Sequence, residues 1–510
     1  MSGPGPVYLD YAATTPVDAH VAAAMAECLC AGSIFGNPAS THAYGRAARA
    51  RVEAARAQVA ALIGARPQDV VFTSGATEAD NLAILGIARG ARAARGKAGA
   101  VPHVITSRTE HKAVLDPCKQ LEREGFAVTF LTPADEGRVT PEQLRAALQP
   151  ETVLVSLMHA NNETGIVQDV AAFGAICREH GAALHVDAAQ SAGKLPIDVH
   201  AMGIDLLAFT AHKLYGPKGI GALYVQSTRR VGLQPLLFGG GHERGLRSGT
   251  LPVHQIVGFG AACALAASTM TAEAARQAQM RERLWAGIGE LPGALLNSPI
   301  EHSLPGILNV SFSGIEGESL LFGLSELAVA TGSACNSDSD EPSYVLRALG
   351  RDRGTAQSSL RFSLGRGTNF DDIDRAIAAV RREVRRLQAA SAVVAPPAAL
   401  ASGEAGTREQ GTWVRFVLKT CGGVIVEAEH QVYGCPHTMA VCDRLAERLR
   451  GRACAETGLG GPAEWAREFG VPLDRLTRLL VVEDALRAAL AAAGRAQASG
   501  STISGGGTAS

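Results

Sequence analysis

Over the first 388 residues, short β-branched runs alternate with longer amphipathic stretches, and this pattern constrains the chain more than any other feature. Val70-Val-Phe-Thr, His103-Val-Ile-Thr, Ala127-Val-Thr-Phe-Leu, Val153-Leu-Val-Ser-Leu, Ala183-Leu-His-Val-Asp and Leu206-Leu-Ala-Phe read as strands, with helical patterns at 76–89 and 112–124 between them. Such alternation predicts right-handed crossovers and an α/β fold: a large, mostly parallel sheet with helices on both faces. A long apolar-periodic helix over 261–285 reads as the hinge to a smaller α+β domain, whose strands are Gly306-Ile-Leu-Asn-Val-Ser-Phe and Ser359-Leu-Arg-Phe-Ser. The large domain is expected over 17–260 and the small one over 1–16 plus 261–388.

Beyond residue 388 the character changes. Residues 389–411 are rich in Ala, Ser, Pro and Gly and read as a linker. Residues 412–493 read as a third, C-terminal α+β unit. Trp413-Val-Arg-Phe-Val-Leu and Val424-Ile-Val-Glu-Ala-Glu-His-Gln-Val alternate like a hairpin with Cys421-Gly-Gly at its turn, and three helical patterns follow. Residues 494–510, nearly all Gly, Ser, Thr and Ala, read as a disordered tail.

Charge narrows the function. With 48 Lys plus Arg against 49 Asp plus Glu, the net charge of −1 offers no field for nucleic acid or an anionic membrane. No uncharged apolar run reaches the roughly 18–20 residues of a membrane span. The start, Met-Ser-Gly-Pro-Gly-Pro, carries no signal-peptide pattern, so a cytoplasmic protein with reduced thiols is expected from its ten cysteines. Cys28, Cys30, Cys118, Cys177 and Cys263 sit in apolar patterns and are expected to be buried.

The densest chemistry lies in Ala208-Phe-Thr-Ala-His-Lys-Leu-Tyr-Gly-Pro-Lys-Gly. Lys213 follows a strand end, where a lysine can form a Schiff base, and Asp187 closes another strand. Pyridoxal phosphate (PLP) needs this pair, a lysine for its aldehyde and a carboxylate for its pyridine nitrogen. Thr73-Ser-Gly-Ala-Thr-Glu, where a strand turns into a helix, offers amides for its phosphate.

Residues 1–388 resemble a cysteine desulfurase of the IscS/NifS type, of the class V aminotransferases and PLP fold type I. The resemblance rests on Tyr8-Leu-Asp-Tyr-Ala-Ala-Thr-Thr-Pro, Phe35-Gly-Asn-Pro-Ala-Ser, Thr109-Glu-His-Lys-Ala-Val, Asn161-Asn-Glu-Thr-Gly, His185-Val-Asp-Ala-Ala-Gln, Arg247-Ser-Gly-Thr-Leu-Pro, Gly332-Ser-Ala-Cys and Glu341-Pro-Ser-Tyr-Val-Leu-Arg, besides the segments above. It implies that Lys213 bonds the cofactor, Asp187 partners the pyridine nitrogen, Gln190 donates to the ring hydroxyl and His111 stacks on the ring. It implies that Ala76, Thr77, Thr210 and His212 hold the phosphate, joined by Thr250 from a second subunit of a homodimer. Asn162 and Arg361 fall where the substrate carboxylate is held, and Cys335 at the nucleophile. The implied reaction converts L-cysteine to L-alanine, leaving a persulfide on Cys335 for iron–sulfur scaffolds or other acceptors, with a cluster held at most transiently. Asp338 and Asp340 depart from the neutral residues expected after Cys335, and each costs a thiolate roughly 0.5 kcal/mol at about 8 Å. The alternatives are another fold-type-I enzyme, a selenocysteine lyase or an aminotransferase, and a non-enzymatic sulfur adaptor.

The C-terminal unit resembles, over about 80 residues, the IscU/NifU N-terminal scaffold through Val432-Tyr-Gly-Cys435 and Val482-Glu-Asp-Ala-Leu-Arg. Of that scaffold's three cysteines only Cys435 stands in place; Arg478 or a neighbour occupies another ligand position, so the scaffold is expected to be degenerate. Cys435, with Cys335, is the candidate metal or cluster contact, and Cys442 is expected to pack.

Overall fold

The computed structural model describes residues 5–30, 34–96, 99–230, 232–331, 341–391, 400–421, 424–454 and 458–500. The chain enters through β1 (Val7–Tyr8), α1 (Ala19–Ala26) and α2 (Ala43–Leu62). The large sheet then forms from β2 (Val70–Thr73), β3 (His103–Ser107), β4 (Ala127–Leu131), β5 (Thr152–Ser156), β6 (Ala183–Asp187), β7 (Leu206–Thr210) and β8 (Gly221–Val225). Between or after these strands run α3 (Ala76–Arg95), α4 (Lys112–Arg123), α5 (Pro141–Ala147), α6 (Val170–His180) and the short α7 (Ser227–Arg230).

The sheet order is β2-β8-β7-β6-β5-β3-β4, parallel throughout except where β8 pairs antiparallel with β2 and β7. Every residue of β3, β6, β7 and β8 is buried, as continuous apolar strands require when helices cover both faces. Helix boundaries follow local chemistry. Thr140 and Gln143 form a reciprocal capping box at α5, and α6 starts on the Asp169 carboxylate and stops at Gly181 in the left-handed region.

The hinge helix α8 (Val253–Ile288) begins eight residues earlier than its apolar pattern suggests. Its first half buries Val253, Ile256, Phe259 and Cys263 in the large-domain core, and its second half buries Met280, Leu284 and Ile288 in the small one. It is long and apolar enough to cross a membrane by length and composition, yet those apolar positions are the ones packed against the two cores. The small domain follows with β9 (Ala294–Leu296), β10 (Ile307–Phe312), α9 (Gly317–Gly323), β11 (Leu327–Ala328), β12 (Ala330–Thr331), α10 (Tyr344–Ala348), α11 (Arg353–Gln357), β13 (Ser359–Ser363) and α12 (Phe370–Ser391). Strands pair antiparallel in the order β12-β13-β10-β9, while β1 returns to lie parallel to β11.

The C-terminal unit departs from its sequence reading at both ends. Residues 401–407, read as linker, form β14 (Ala401–Thr407), which pairs in full antiparallel register with β15 (Thr412–Cys421). The small residues that mimic a linker serve a close approach: a Cβ on Gly403 would meet the Ala489 amide nitrogen at 2.0 Å. β15 pairs antiparallel with β16 (Val424–Tyr433), with Cys421 opposite Val424. Helices α13 (Pro436–Leu449), α14 (Pro462–Phe469) and α15 (Leu476–Gly500) follow, and α15 carries helix into residues 494–500, read as tail. Of the cysteines expected to be buried, Cys28, Cys118, Cys177 and Cys263 are, whereas Cys30 is exposed just beyond α1.

Candidate active site

Lys213 is set by the end of a strand and a single 3-10 turn. β7 stops at Thr210, Ala211–Lys213 make the turn, and the Ala211 carbonyl accepts from the amides of Leu214 at 3.0 Å and Gly216 at 2.9 Å. Tyr215 then sits at φ 66°, where a side chain is strained. The strain is held from outside: the Tyr215 amide donates to Thr15 Oγ1 at 2.8 Å, and its hydroxyl accepts from the Arg366 amide at 2.5 Å. The Lys213 amine donates to the carbonyls of Ala12 at 2.5 Å and Ala13 at 2.8 Å, at the edge of a cavity of ≈ 340 Å³.

A second wall is the turn from β2 into α3. Its first amides have no partner four residues back, and Ala76 and Thr77 line the cavity. Glu78 braces this turn, accepting from the Ser74 amide at 2.7 Å and from Arg247 Nε at 2.9 Å. Thr210 is buried beside Gly75 and donates to the Ile220 carbonyl at 3.0 Å. His212 does not line the cavity; its Nδ1 lies 3.2 Å from Thr14 Oγ1, and burial pushes its pKa down to about 4. Thr250 is exposed and away from the cavity lining of its own chain. Cys335, with Asp338 and Asp340, lies outside the described residues.

The remaining sequence-predicted residues meet in the same cavity: His111, Asn162, Asp187, Gln190 and Arg361. Asp187 accepts from the Ala189 amide at 2.8 Å, and desolvation, then nearby Asp80, raises its pKa to about 7. His111 caps α4, its Nδ1 accepting from the Ala113 amide at 3.1 Å, and burial holds it toward the neutral imidazole. Gln190 is anchored between the Ala12 carbonyl at 2.9 Å and Lys194 Nζ at 3.1 Å. Arg361 donates to the Asn162 carbonyl at 2.8 Å and pairs with Asp10 at 2.6 Å. Its Nε, Asn162 Oδ1 and both oxygens of Asp80 are buried without a hydrogen-bond partner among the described residues. Natural proteins rarely leave such groups unpaired, so the cavity is built for a polar ligand.

The comparisons agree with this geometry. The aminotransferase class-V family model matches residues 7–376. The cysteine desulfurase IscS of Pectobacterium atrosepticum is 56% identical over 384 residues, 75% of this chain and 94% of that protein. That of Aeromonas hydrophila is 55% identical over the same shares. The chain belongs to the cysteine desulfurases of the class-V aminotransferase family. Among solved structures, a NifS-like protein superposes with a TM-score of 0.68 at 36% identity, covering 75% of this chain and 99% of that one. SspA in complex with cysteine gives 0.62 at 39% identity, covering 70% and 98%. The family match stops at residue 376, ahead of β14, and the scaffold likeness of the C-terminal unit has no counterpart among these matches.

Cysteine desulfurases of this family depend on PLP, and the residues fit it. The free amides of α3 suit a phosphate dianion, the buried carboxyl of Asp187 suits a protonated pyridine nitrogen, and Lys213 offers the amine. Sequence reasoning missed Asp10, Asp80, Glu110 and Glu163. Asp10 and Asp80 line the cavity, Glu110 accepts from the Met158 amide at 2.8 Å, and Glu163 meets the Ser343 hydroxyl at 2.5 Å. One signal was available for Asp80: it follows Ala76 by four residues and so shares its helix face.

Proposed function

We propose that the chain, as a PLP-loaded homodimer in the cytoplasm, converts L-cysteine to L-alanine and passes the sulfur from Cys335 to an iron–sulfur scaffold or another acceptor protein. The observation that carries this reading is the convergence of Lys213, Asp187, His111, Asn162 and Arg361 on one cavity. PLP, bound through Lys213, supplies an electron sink for negative charge at the substrate Cα. Arg361 and Asn162 hold the carboxylate, the open Nε of Arg361 giving a donor that its bonds to Asp10 and the Asn162 carbonyl leave available. The Lys213 amine, freed when the substrate amine takes its place on the cofactor, would take the Cα proton. The Cys335 thiolate attacks the substrate sulfur; an S–S bond forms, the C–S bond breaks, and the carbon keeps the electron pair and gains a proton. Thiol plus thiol thus become alanine and a persulfide, with no outside oxidant. Thr250 is assigned to the phosphate, reaching it from the partner subunit. Incubation with L-cysteine, measuring alanine and sulfide with and without a thiol reductant, tests the reading. Cys335→Ser should keep the bound cofactor's color and release no alanine; normal alanine release would sink it.

For the C-terminal unit we propose a degenerate scaffold that receives sulfur or occupies the scaffold's docking face. Its position supports this. Ser319 of α9 donates to the Gly434 carbonyl at 2.9 Å, next to Cys435, and Arg475 pairs with Glu318 at 3.0 Å. Thr331 and Glu341, which flank segment 332–340, share a cavity of ≈ 220 Å³ with Tyr433 and Arg478. Cys435 is buried, its Sγ 3.2 Å from Thr438 Oγ1, and Cys442 packs in the apolar core. Full-length protein treated with iron and sulfide, then desalted, should retain no stable [2Fe–2S] cluster. About two irons per chain, lost on Cys435→Ser, would make the unit a working scaffold.

A further inference from the structure

Of the three carboxylates in the cavity, Asp187 is assigned to the cofactor and Asp10 pairs with Arg361, which leaves Asp80 without a role. Asp80, in α3, lines the cavity together with Asp187. Its side chain is fully buried, and neither oxygen has a hydrogen-bond partner among the described residues. Facing it is His185, two residues before Asp187 on β6, so both side chains leave the same face of that strand. His185 Nδ1 lies 2.8 Å from Ser156 Oγ on β5, and its Nε2 lies 3.4 Å from Asp80 Oδ1. A line of polar groups, Ser156–His185–Asp80, therefore crosses the sheet and ends at the cavity beside Asp187.

Charge counting decides what this line does. Two unpaired anions in one dry pocket repel each other, and a single pyridinium neutralises only one of them. Asp187 takes that anionic role in the function proposed above, on which this inference rests. Burial drives His185 down to about 4, to the neutral imidazole, and pushes Asp80 toward its protonated form. A neutral imidazole whose Nδ1–H donates to Ser156 presents a bare Nε2 acceptor, and a protonated Asp80 carries the donor that fills it. We propose that Asp80 is a positioning residue for the cofactor end of the site: as a neutral acid it donates its proton to His185 Nε2 and leaves Asp187 the single anion for the pyridine nitrogen. The other ionisable groups around it are Glu110 and His111 ahead of α4, Lys213 across the cavity, and the paired Asp10 and Arg361 that also line it.

The test uses the full-length protein loaded with PLP and reads cofactor affinity and the pH titration of the bound cofactor's visible band. Asp80→Asn keeps a donor to Nε2 without a charge, so affinity should stay within about twofold and the titration midpoint should not move. Asp80→Leu leaves Nε2 bare and should weaken cofactor binding about tenfold, with a shifted band. A shifted midpoint or a tenfold weaker cofactor in Asp80→Asn would show that Asp80 works as an anion, which overturns the proposal. Wild-type affinity and spectrum in Asp80→Leu would overturn it as well. If Asp80→Leu does not fold, the Asp80→Asn result decides alone. Failure of the PLP reading itself is separate, since the wild-type protein would then show no visible band.

Discussion

The two ends of this chain bury polar groups differently. In the desulfurase unit, the buried side chains with an atom that lacks a hydrogen-bond partner among the described residues include Asp80, Asn162 and Arg361, and these three line one cavity. In the C-terminal unit, the core is apolar, built on Phe416, Trp465, Leu445 and Leu479, and Cys435, Cys442 and Cys454 are buried singly in or beside it. Buried polar groups left unpaired cost stability, so a fold keeps them where a ligand completes them. An apolar core makes no such demand, and thiols within it pack. The first unit is thus organised around a polar ligand site, and the second around contact with its neighbour, to which Met439 is packed along with its own core.

The sharpest way to break this comparison is Lys213→Ala. It should abolish the visible cofactor band and all alanine formation, whereas Cys435→Ser should leave alanine formation with a reductant within about twofold. Equal losses in the two variants would erase the distinction. Next in size is Arg361→Lys, which replaces a planar fork with a point charge. Steady-state kinetics should show kcat/KM for L-cysteine lowered by about 2 kcal/mol, roughly thirtyfold.

A third prediction concerns pH. Burial raises the Glu163 carboxyl to about 7 in the folded protein, against about 4.3 when unfolded. The folded state therefore holds a proton that the unfolded state has released, and wild-type stability from this group falls as pH rises between those values. Glu163→Gln has no such loss. Its stability relative to wild type should grow from pH 5 to pH 7 by about 1–3 kcal/mol and then level off. Denaturant titrations at several pH values measure this, and an advantage that shrinks with pH would contradict it. The smallest effect belongs to the contact between the units. Arg475→Ala removes a partly exposed pair with Glu318 and should cost only about 0.2–1 kcal/mol in the unfolding transition of the C-terminal unit. A larger loss would mean that the units fold as one.

Much of the site could be read without coordinates. Strand ends carried Lys213 and Asp187, and motif resemblance carried His111, Asn162, Gln190 and Arg361, all of which meet at one cavity. Asp80 escaped because Glu78-Ala-Asp-Asn reads as the polar face of an amphipathic helix. Only packing shows that α3 is covered on nearly all sides along Ala79–Ala88, so that a polar residue there is buried. Asp10 and Glu163 escaped for a similar reason: their partners, Arg361 and Ser343, lie 351 and 180 residues away.

By itself, then, the sequence determined the strand–helix alternation, the parallel sheet it implies, the hairpin at Trp413–Val432 and most of the polar residues that meet at the cavity. These are consequences of local periodicity and of side-chain type. Tertiary structure alone decided that Ala401–Thr407 is a strand, that helix continues into residues 494–500 and that Asp80 faces His185. Small residues such as Gly403 have no conformational preference strong enough to declare a strand. Their state is chosen by the helix that lies against them, which allows no Cβ there. Likewise a carboxylate shows its charge in the sequence, but the dielectric and the neighbour that decide its protonation exist only once the chain has closed around it.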